Sequence, residues 1–248
     1  MRKLDLAVRV TGLAKSYDST RAVDTISFDV PRGTIYGVVG PNGAGKTTTL
    51  MMMAGLVRPD TGRITINDSD VWTNPDEAKS LLGVMPDRFL LFDRLTGWQM
   101  LYYAGILRGM KHDAVILRSQ ELVRLFGLET SAARLIQDYS AGMVKKLSLA
   151  CALIHSPEVL VLDEPFESVD PVSTAALIRV LRELTIQGVT VILSSHDMNI
   201  VSKTCDFLAI IIGGRVLDQG EIADVLQGRT LEERFRELVG IQAAIEEL

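Results

Sequence analysis

The sequence contains little cysteine and has no excess of positive charge. Of its 248 residues only two are cysteines, Cys151 and Cys205, and both stand among apolar neighbours. An unpaired cysteine behaves as a small hydrophobic residue, so we expect two buried, reduced thiols and a reducing compartment. The formal net charge is -5 at pH 7, whereas a free-standing nucleic-acid binder usually carries a basic surface. The charge therefore argues against nucleic acid as a partner.

The sequence also lacks a long hydrophobic run. Its longest apolar stretches, such as residues 159–162 and 207–212, are much shorter than the roughly 18 residues of a membrane-spanning helix. The first ten residues carry several charges and lack both the apolar core and the cleavage site of a signal peptide. We therefore expect a soluble, cytoplasmic chain that reaches a membrane only through a partner protein.

Short apolar runs alternate with longer helix-like segments, which favours an α/β fold with a mainly parallel core sheet. Residues 8–10 and 26–30 alternate apolar and polar side chains, as strands of an N-terminal antiparallel β subdomain would. Continuous apolar runs predict central strands covered on both faces, at residues 35–39, 159–162, 189–193 and 208–212. Shorter strands are expected at residues 64–66 and 82–85.

Helix-like segments separate these apolar runs. They cover residues 47–56, 98–108, 115–126, 144–155, 171–187 and 231–248. Residues 89–144 carry little strand signal, so we expect an inserted α-helical subdomain there. Because no linker or internal repeat interrupts the chain, residues 1–248 are predicted to form one domain that ends in a C-terminal helix.

A glycine-rich phosphate-binding loop follows the first central strand. Its residues fit the pattern G-x-x-x-x-G-K-[ST] and are Gly40, Pro41, Asn42, Gly43, Ala44, Gly45, Lys46 and Thr47. The glycines let successive backbone N–H groups face one anion, and the following helix adds the positive end of its dipole. We expect Lys46 to reach the β- and γ-phosphates, Thr47 to bind Mg²⁺ and Thr48 to donate to the α-phosphate. This motif predicts a P-loop NTPase, a class that includes kinases, GTPases and helicase-like motors.

Two acidic residues end a buried strand further along the chain. Residues 159–162 deliver Asp163 and Glu164 to the carboxyl edge of the predicted sheet, next to the phosphate loop. Asp163 is then placed to hold Mg²⁺, while Glu164 points elsewhere and can polarise an attacking water as general base. Two solvated acids at a strand end are the alternative interpretation, which the phosphate loop upstream makes the weaker one.

At this point the sequence resembles the ATP-binding cassette (ABC) family over nearly its whole length. Ser140, Ala141 and Gly142, in the segment Tyr-Ser-Ala-Gly-Met, stand where the family has its Leu-Ser-Gly-Gly-Gln signature. They precede a predicted helix, whose N-terminus is suited to a γ-phosphate. The resemblance implies that these residues bind the ATP held by an opposite subunit.

The resemblance assigns roles to further residues. It implies that His196 contacts the γ-phosphate and keeps Glu164 and the attacking water in place. It implies that Tyr17 stacks on adenine and that Val23 lines the same face. A tyrosine packed in a turn is the alternative interpretation for Tyr17.

Two segments depart from the pattern of the family. Asp87 stands where the glutamine of the Q-loop would fall. Its carboxylate can still bind the metal through water, but the side chain is shorter and charged. Asp170 matches the D-loop aspartate, whereas Ser168 and the residues before it differ from the usual Gly-Leu-Asp-Pro or Ala-Leu-Asp-Pro pattern.

The resemblance also implies partners. One cassette cannot close its own site, so two cassettes would face head to tail and sandwich two ATP, each with Mg²⁺. Each ATP would lie between Lys46 of one chain and Ser140 of the other, and the pair would be a homodimer or a heterodimer. An integral membrane permease would dock near residues 87–96, which contain Phe89, Leu90, Leu91, Phe92 and Leu95. These side chains form either a docking patch or ordinary subdomain core.

The C-terminal segment predicts a helix with one apolar face, formed by Leu231, Phe235 and Leu238. It resembles the short terminal helix of exporter ATPases that pair with separately encoded permeases. Packing of this face on its own domain is an alternative of at least equal weight.

Three functions remain open from the sequence. The first is an ATPase subunit that powers a membrane exporter, and the second is a soluble ABC ATPase that acts in Fe–S assembly. The third is a nucleotide-gated scaffold with weak hydrolysis, which the departures at Asp87 and Ser168 motivate.

Overall fold

Two β-sheets and a set of helices make up the part of the chain that the computed structural model describes, residues 5–87 and 91–246. The strands are β1 (Leu6–Tyr17), β2 (Thr20–Pro31), β3 (Ile35–Val39), β4 (Thr61–Ile66), β5 (Ser69–Asp70), β6 (Leu82–Met85), β7 (Val159–Leu162), β8 (Thr190–Ser195), β9 (Phe207–Ile212) and β10 (Arg215–Glu221). The helices are α1 (Lys46–Met53), α2 (Pro75–Ser80), α3 (Gly97–Leu107), α4 (His112–Leu125), α5 (Ala141–Leu153), α6 (Pro171–Ile186), α7 (Met198–Thr204), α8 (Ile222–Leu226) and α9 (Leu231–Glu246), with a short 3-10 helix at Ile136–Asp138. Within residues 5–87 and 91–246, no helix has the length and apolar character that crossing a membrane requires.

The smaller sheet is antiparallel and has the order β2-β1-β4-β5. Val8 lies opposite Val30 and Val10 opposite Phe28, and alternate side chains of both strands are buried, as in a sheet with one covered face. β1 and β2 are longer than predicted from the sequence. Register shifts near Gly12, whose φ is 59°, interrupt the alternation, so the pattern revealed only part of each strand.

The larger sheet has the order β10-β9-β3-β8-β7-β6. β9, β3, β8, β7 and β6 are parallel, and β3, β7 and β8 are buried along their whole length, which confirms the predicted α/β fold. Val39 lies opposite Ser195 and Leu162 opposite Leu193. The carboxyl ends of β3, β8 and β7 therefore meet at one edge of the sheet.

Helices α3 and α4 lie in the segment where an inserted helical subdomain is predicted. Thr96 begins α3 with a reciprocal cap, since its Oγ1 accepts from the Gln99 amide at 3.2 Å and its own amide donates to Gln99 Oε1 at 2.9 Å. The two helices approach closely at Gly105, where an added Cβ would lie 2.7 Å from the Val115 side chain. The subdomain thus has a defined internal packing of its own.

Helix α5 joins the helical segment to the larger sheet. It begins at Ala141, three residues before the predicted start at residue 144, because Ser140 caps it and accepts from the Met143 amide at 3.3 Å. The buried second half of α5 packs against β6. Helix α5 therefore links the exposed signature segment at its start to core residues at its end.

The C-terminal helix α9 packs on its own domain. Leu231 and Leu238 are buried in the main core, and Phe235 packs partly against it. Arg234 forms an ion pair with Asp218 of β10 at 2.7 Å. Leu231, Phe235 and Leu238, the predicted apolar face, are therefore covered wholly or partly by the rest of the chain.

The predicted docking patch is only partly a surface. Leu91 is buried and Leu95 packs against the core, whereas the Phe92 side chain is 63% exposed. Phe89 and Leu90 lie outside the described residues. Of the described members, Phe92 alone fits the docking interpretation.

Candidate active site

A cleft of about 440 Å³ opens at the edge where β3, β7 and β8 end. Such an edge is where open α/β sheets bind ligands. The side chains and loops that line it are Tyr17, Ala22, Asn42, Gly43, Ala44, Gly45, Lys46, Thr47, Thr48, Asp87, Glu164, Glu167 and His196. The structure thus brings together residues from five separate stretches of the sequence.

The phosphate loop connects β3 to α1, and two of its glycines cannot be replaced without moving the backbone. An added Cβ at Gly40 would lie 2.1 Å from the Ile211 carbonyl oxygen, and one at Gly45 would lie 2.4 Å from the Ala22 carbonyl oxygen. Gly45 also has a φ of 99°, which favours glycine. Pro41 is exposed beside Gly40, and the rest of the loop faces the cleft.

Lys46 is 6% exposed and folds back over the loop. Its Nζ donates to the carbonyl oxygens of Gly40 at 2.9 Å and Pro41 at 3.2 Å. The same ammonium lies 3.7 Å from Glu164 Oε1. A cation at the floor of a glycine-rich loop suits a polyphosphate, and this one lies beside the carboxylate expected to act as base.

Glu164 is held by its backbone and by its side chain. Its φ is 46°, in the left-handed region, and its amide donates to Ser194 Oγ at 2.9 Å. Its Oε2 lies 3.1 Å from His196 Nδ1. The carboxylate is 13% exposed while the His196 side chain is 49% exposed, so the imidazole stands between the carboxylate and solvent.

Asp163 is buried beneath the cleft and has one oxygen free. Its Oδ1 accepts from Ser194 Oγ at 2.5 Å, while its Oδ2 is buried without a hydrogen-bond partner among the described residues. A buried carboxylate oxygen needs a partner, and a divalent cation supplies one. Thr47 and Asp87 line the cleft and add a hydroxyl and a carboxylate. These are the oxygen ligands that Mg²⁺ prefers, so the residues present fit this ion.

Ser194 is a site residue that the sequence analysis missed. Its hydroxyl contacts both Asp163 and Glu164 and so ties the two acids of β7 to the end of β8. A serine that ends a continuous apolar strand is a weak signal, and only the adjacency of β7 and β8 gives it meaning. Ala22 and Glu167 also line the cleft without having been predicted.

Tyr17 lies at the rim of the cleft, and Val23 does not reach it. The Tyr17 side chain is 47% exposed, and Lys15 Nζ lies 5.6 Å from its ring centroid. Val23 is fully buried in the core below Gly45. Since successive residues of a strand point to opposite faces, Ala22 faces the cleft, and the role expected of Val23 stays a prediction.

The signature segment lies apart from this cleft. Ser140 and Ala141 are exposed at the start of α5, and Gly142 is buried; none of the three lines the cleft of the described chain. An added Cβ at Gly142 would lie 2.8 Å from Ser173 Oγ. The glycine therefore lets the start of α5 approach the start of α6.

The D-loop segment ends in a strong helix cap. Asp170 Oδ1 accepts from the amides of Val172 at 3.0 Å and Ser173 at 2.9 Å. These backbone hydrogen bonds, that of Ser173 first, hold the pKa of Asp170 below its ordinary value. Ser168 has a φ of 59°, a left-handed conformation that is uncommon for a residue with a Cβ.

Comparisons with known proteins agree with this geometry. Among models of protein families, the one described as ABC transporter matches residues 23–167. The daunorubicin/doxorubicin resistance ATP-binding protein DrrA of Streptomyces peucetius is 36% identical, over 88% of this chain and 66% of DrrA. The linearmycin resistance ATP-binding protein LnrL of Bacillus subtilis (strain 168) is 34% identical, over 88% of this chain and 70% of LnrL. The matched segment is thus about two thirds of the length of DrrA.

Solved structures share the fold along nearly the whole chain. A structure described as the ATP binding subunit of an ABC transporter is 29% identical with a TM-score of 0.85, over 94% of this chain and 99% of that one. CbiO1 from Clostridium perfringens, described as part of the ABC transporter complex cbiONQ, is 25% identical with a TM-score of 0.81, over 98% of this chain and 100% of its own. The chain therefore belongs to the ABC transporter family and is one of its ATP-binding proteins.

Proposed function

We propose that the chain binds ATP with Mg²⁺, hydrolyses it within a dimer of two cassettes, and drives an integral membrane permease from the cytoplasmic face. The observation that carries this proposal is the cleft in which Lys46, Glu164 and His196 lie together beside the phosphate loop. Phosphoryl transfer needs positioning and charge stabilisation more than covalent chemistry, and this cleft supplies both.

The roles of the residues follow from their contacts. Lys46 exchanges its hydrogen bonds to the Gly40 and Pro41 carbonyls for phosphate oxygens. Glu164 accepts a proton from the attacking water, and His196 holds the carboxylate through Oε2. Mg²⁺, when bound, offsets phosphate charge. The residues that would hold it are Thr47, Asp163 and Asp87.

The dimer follows from the separation of the two half-sites. Ser140 and Ala141 are exposed at the helix N-terminus of α5 and do not line the cleft of their own chain. A helix N-terminus suits a phosphate, so a second cassette would complete each site with its own signature segment. Contact of Gly142 with Ser173 ties that segment to the D-loop of the same chain.

Export is the direction we propose. DrrA and LnrL are named for resistance to daunorubicin/doxorubicin and to linearmycin, and resistance is a consequence expected of removing a compound from the cell. A methionine import protein, MetN 2 of Salmonella choleraesuis (strain SC-B67), is 32% identical over 63% of its own length. The proposal of export rests on the resistance for which DrrA and LnrL are named, because a difference of two to four percentage points in identity does not separate importers from exporters.

Steady-state hydrolysis tests the reaction. Glu164→Gln should lower ATP turnover at least 100-fold while ATP still binds, and Lys46→Ala should weaken ATP binding itself. Glu158→Gln, at the far end of β7 where Glu158 pairs with Arg32, is the matched control and should keep wild-type turnover. A wild-type protein that binds ATP without turnover would support the nucleotide-gated scaffold instead.

Copurification tests the partner. The tagged full-length chain is recovered from membranes solubilised in detergent, and an integral membrane protein should accompany it in stoichiometric amount. Recovery from the soluble fraction alone, with no membrane partner, would contradict the transporter and favour the soluble Fe–S assembly ATPase.

A further inference from the structure

Lys145 connects α5, the helix that begins at the signature segment, to Glu164, which follows β7. No sequence motif identifies this contact. Lys145 lies on α5, five residues after Ser140, and its Nζ donates to the Glu164 carbonyl oxygen at 2.9 Å. The side chain is half-buried. Among residues 5–87 and 91–246, no carboxylate lies within ion-pair distance of it, so the carbonyl is its described partner.

Glu164 needs such a partner because its backbone is in an unfavourable conformation. A φ of 46° is uncommon for a residue with a Cβ, and it persists only where the surroundings impose it. The amide of Glu164 is held by Ser194 of β8 at 2.9 Å. Its carbonyl oxygen accepts from the Glu167 amide at 3.2 Å and from Lys145.

These contacts come from different parts of the molecule. Ser194 lies on β8, His196 directly follows that strand, and Lys46 is the first residue of α1. Lys145 alone reaches Glu164 from α5, the helix whose first residues carry the signature. Because an ammonium donates a stronger hydrogen bond than a neutral donor, it can fix the orientation of the peptide group that follows Glu164.

We propose that Lys145 is a positioning residue that holds Glu164 in its left-handed conformation and so directs the carboxylate into the cleft. The signature helix would thereby control the general base of its own cleft while its N-terminus faces the nucleotide of the partner chain. This inference rests on the proposed role of Glu164 in hydrolysis. A purely structural tether between α5 and β7 is the competing explanation.

Kinetics of Lys145→Met in the full-length chain test the proposal. Methionine keeps the length of the side chain and removes the ammonium. We expect kcat to fall about 10- to 100-fold, while the KM for ATP and the ATP affinity change less than about 2-fold. Lys145→Arg keeps a charged donor and should restore most of the loss. Lys146→Met is the matched control, since Lys146 lines a different groove, and it should leave kcat unchanged.

A second measurement separates positioning from folding. In the Glu164→Gln background, adding Lys145→Met should cause no further loss, because the base that Lys145 orients is already absent. The free energy of unfolding of every variant is measured in parallel. The proposal is overturned if Lys145→Met keeps the wild-type kcat or if its effect adds to that of Glu164→Gln. It is also overturned if the loss of kcat equals the fall in the folded fraction.

A different experimental result would contradict the proposed function itself. A wild-type protein without ATP turnover would contradict hydrolysis itself, before any Lys145 variant is compared. An active wild type with an equally active Lys145→Met would contradict only the role of Lys145.

Discussion

Ser194 connects the two acids of the site through a single hydroxyl. It donates to Asp163 Oδ1 at 2.5 Å and accepts from the Glu164 amide at 2.9 Å. Asp163 Oδ2, which has no hydrogen-bond partner among residues 5–87 and 91–246, is the oxygen suited to a cation. A group that orients a metal ligand and the backbone of a base affects both metal binding and turnover.

We expect Ser194→Ala to lower ATP turnover about 10- to 100-fold. The substitution leaves a buried carboxylate oxygen without its donor, and the Glu164 amide loses its acceptor as well. Turnover is measured at saturating ATP over a range of Mg²⁺ concentrations, and the Mg²⁺ needed for half-maximal rate should rise.

Thr190→Val is the control for Ser194→Ala. Thr190 lies on the same strand, fully buried at its opposite end, and its hydroxyl accepts from the Gly33 amide at 3.0 Å. Removing this hydroxyl should cost about 1–3 kcal/mol of stability and leave the Mg²⁺ dependence intact. Equal effects of the two substitutions on turnover would refute a specific role for Ser194.

At the scale of elements, a close approach links the starts of α5 and α6. Gly142 admits the Ser173 side chain, with an added Cβ only 2.8 Å from Ser173 Oγ and 3.3 Å from Asp170 Oδ2. Asp170 caps α6 in turn. The starts of α5 and α6 are thus closely packed, and a side chain at position 142 requires the Ser173 side chain to move.

Gly142→Val should destabilise the fold by about 1–3 kcal/mol through overpacking. Ala141→Val is the matched control, because Ala141 is exposed in the same turn and the substitution introduces the same β-branched side chain. Urea unfolding measures both variants. If the Ala141 variant loses as much stability as the Gly142 variant, the close packing does not explain the glycine.

The same two elements show what sequence patterns can and cannot reveal. The phosphate loop and Asp163 could be predicted because spacing along the chain alone defines them. Ser194 and Lys145 could not be predicted. Their roles depend on the pairing of β8 with β7 and on the contact of α5 with Glu164, which follows β7. The face to which Val23 points could not be predicted either, because the register of β1 and β2 shifts along the two strands.

On the scale of the whole molecule, the two sheets and their cores decide where the site lies. The fold class follows from alternating apolar runs and helices, but the order β10-β9-β3-β8-β7-β6 does not. β10 escaped prediction because its side chains are polar and largely half-exposed. At the opposite end of the larger sheet, where β6 and β7 begin, lies the half-buried side chain of His155.

The stability of the protein should depend on pH through His155. Its Nε2 donates to the Leu82 carbonyl at 2.9 Å. Burial, then the nearby Arg108 guanidinium, lowers the pKa of His155 from 6.5 to about 4, against the opposing effect of Leu82. Between these values the unfolded chain binds more protons than the folded one, so the free energy of unfolding falls as pH decreases through this range.

His155→Gln should remove this contribution. Unfolding is measured in urea at several pH values between about 4 and about 7, and the variant should lose less stability than the wild type on acidification. His112→Gln, which changes an exposed histidine on α4, should behave as the wild type does. Parallel pH dependences for wild type and His155→Gln would show that His155 does not titrate in this window.

At Glu164, the residue that best fits the left-handed backbone differs from the residue that the proposed reaction needs. Glycine would adopt a φ of 46° without the cost of about 1 kcal/mol that a Cβ imposes. A selection for thermal resistance alone would therefore favour Glu164→Gly and discard the proposed base. A screen for thermostable variants of this chain must therefore also measure ATP hydrolysis, because Glu164→Gly relieves the backbone strain and removes the proposed general base.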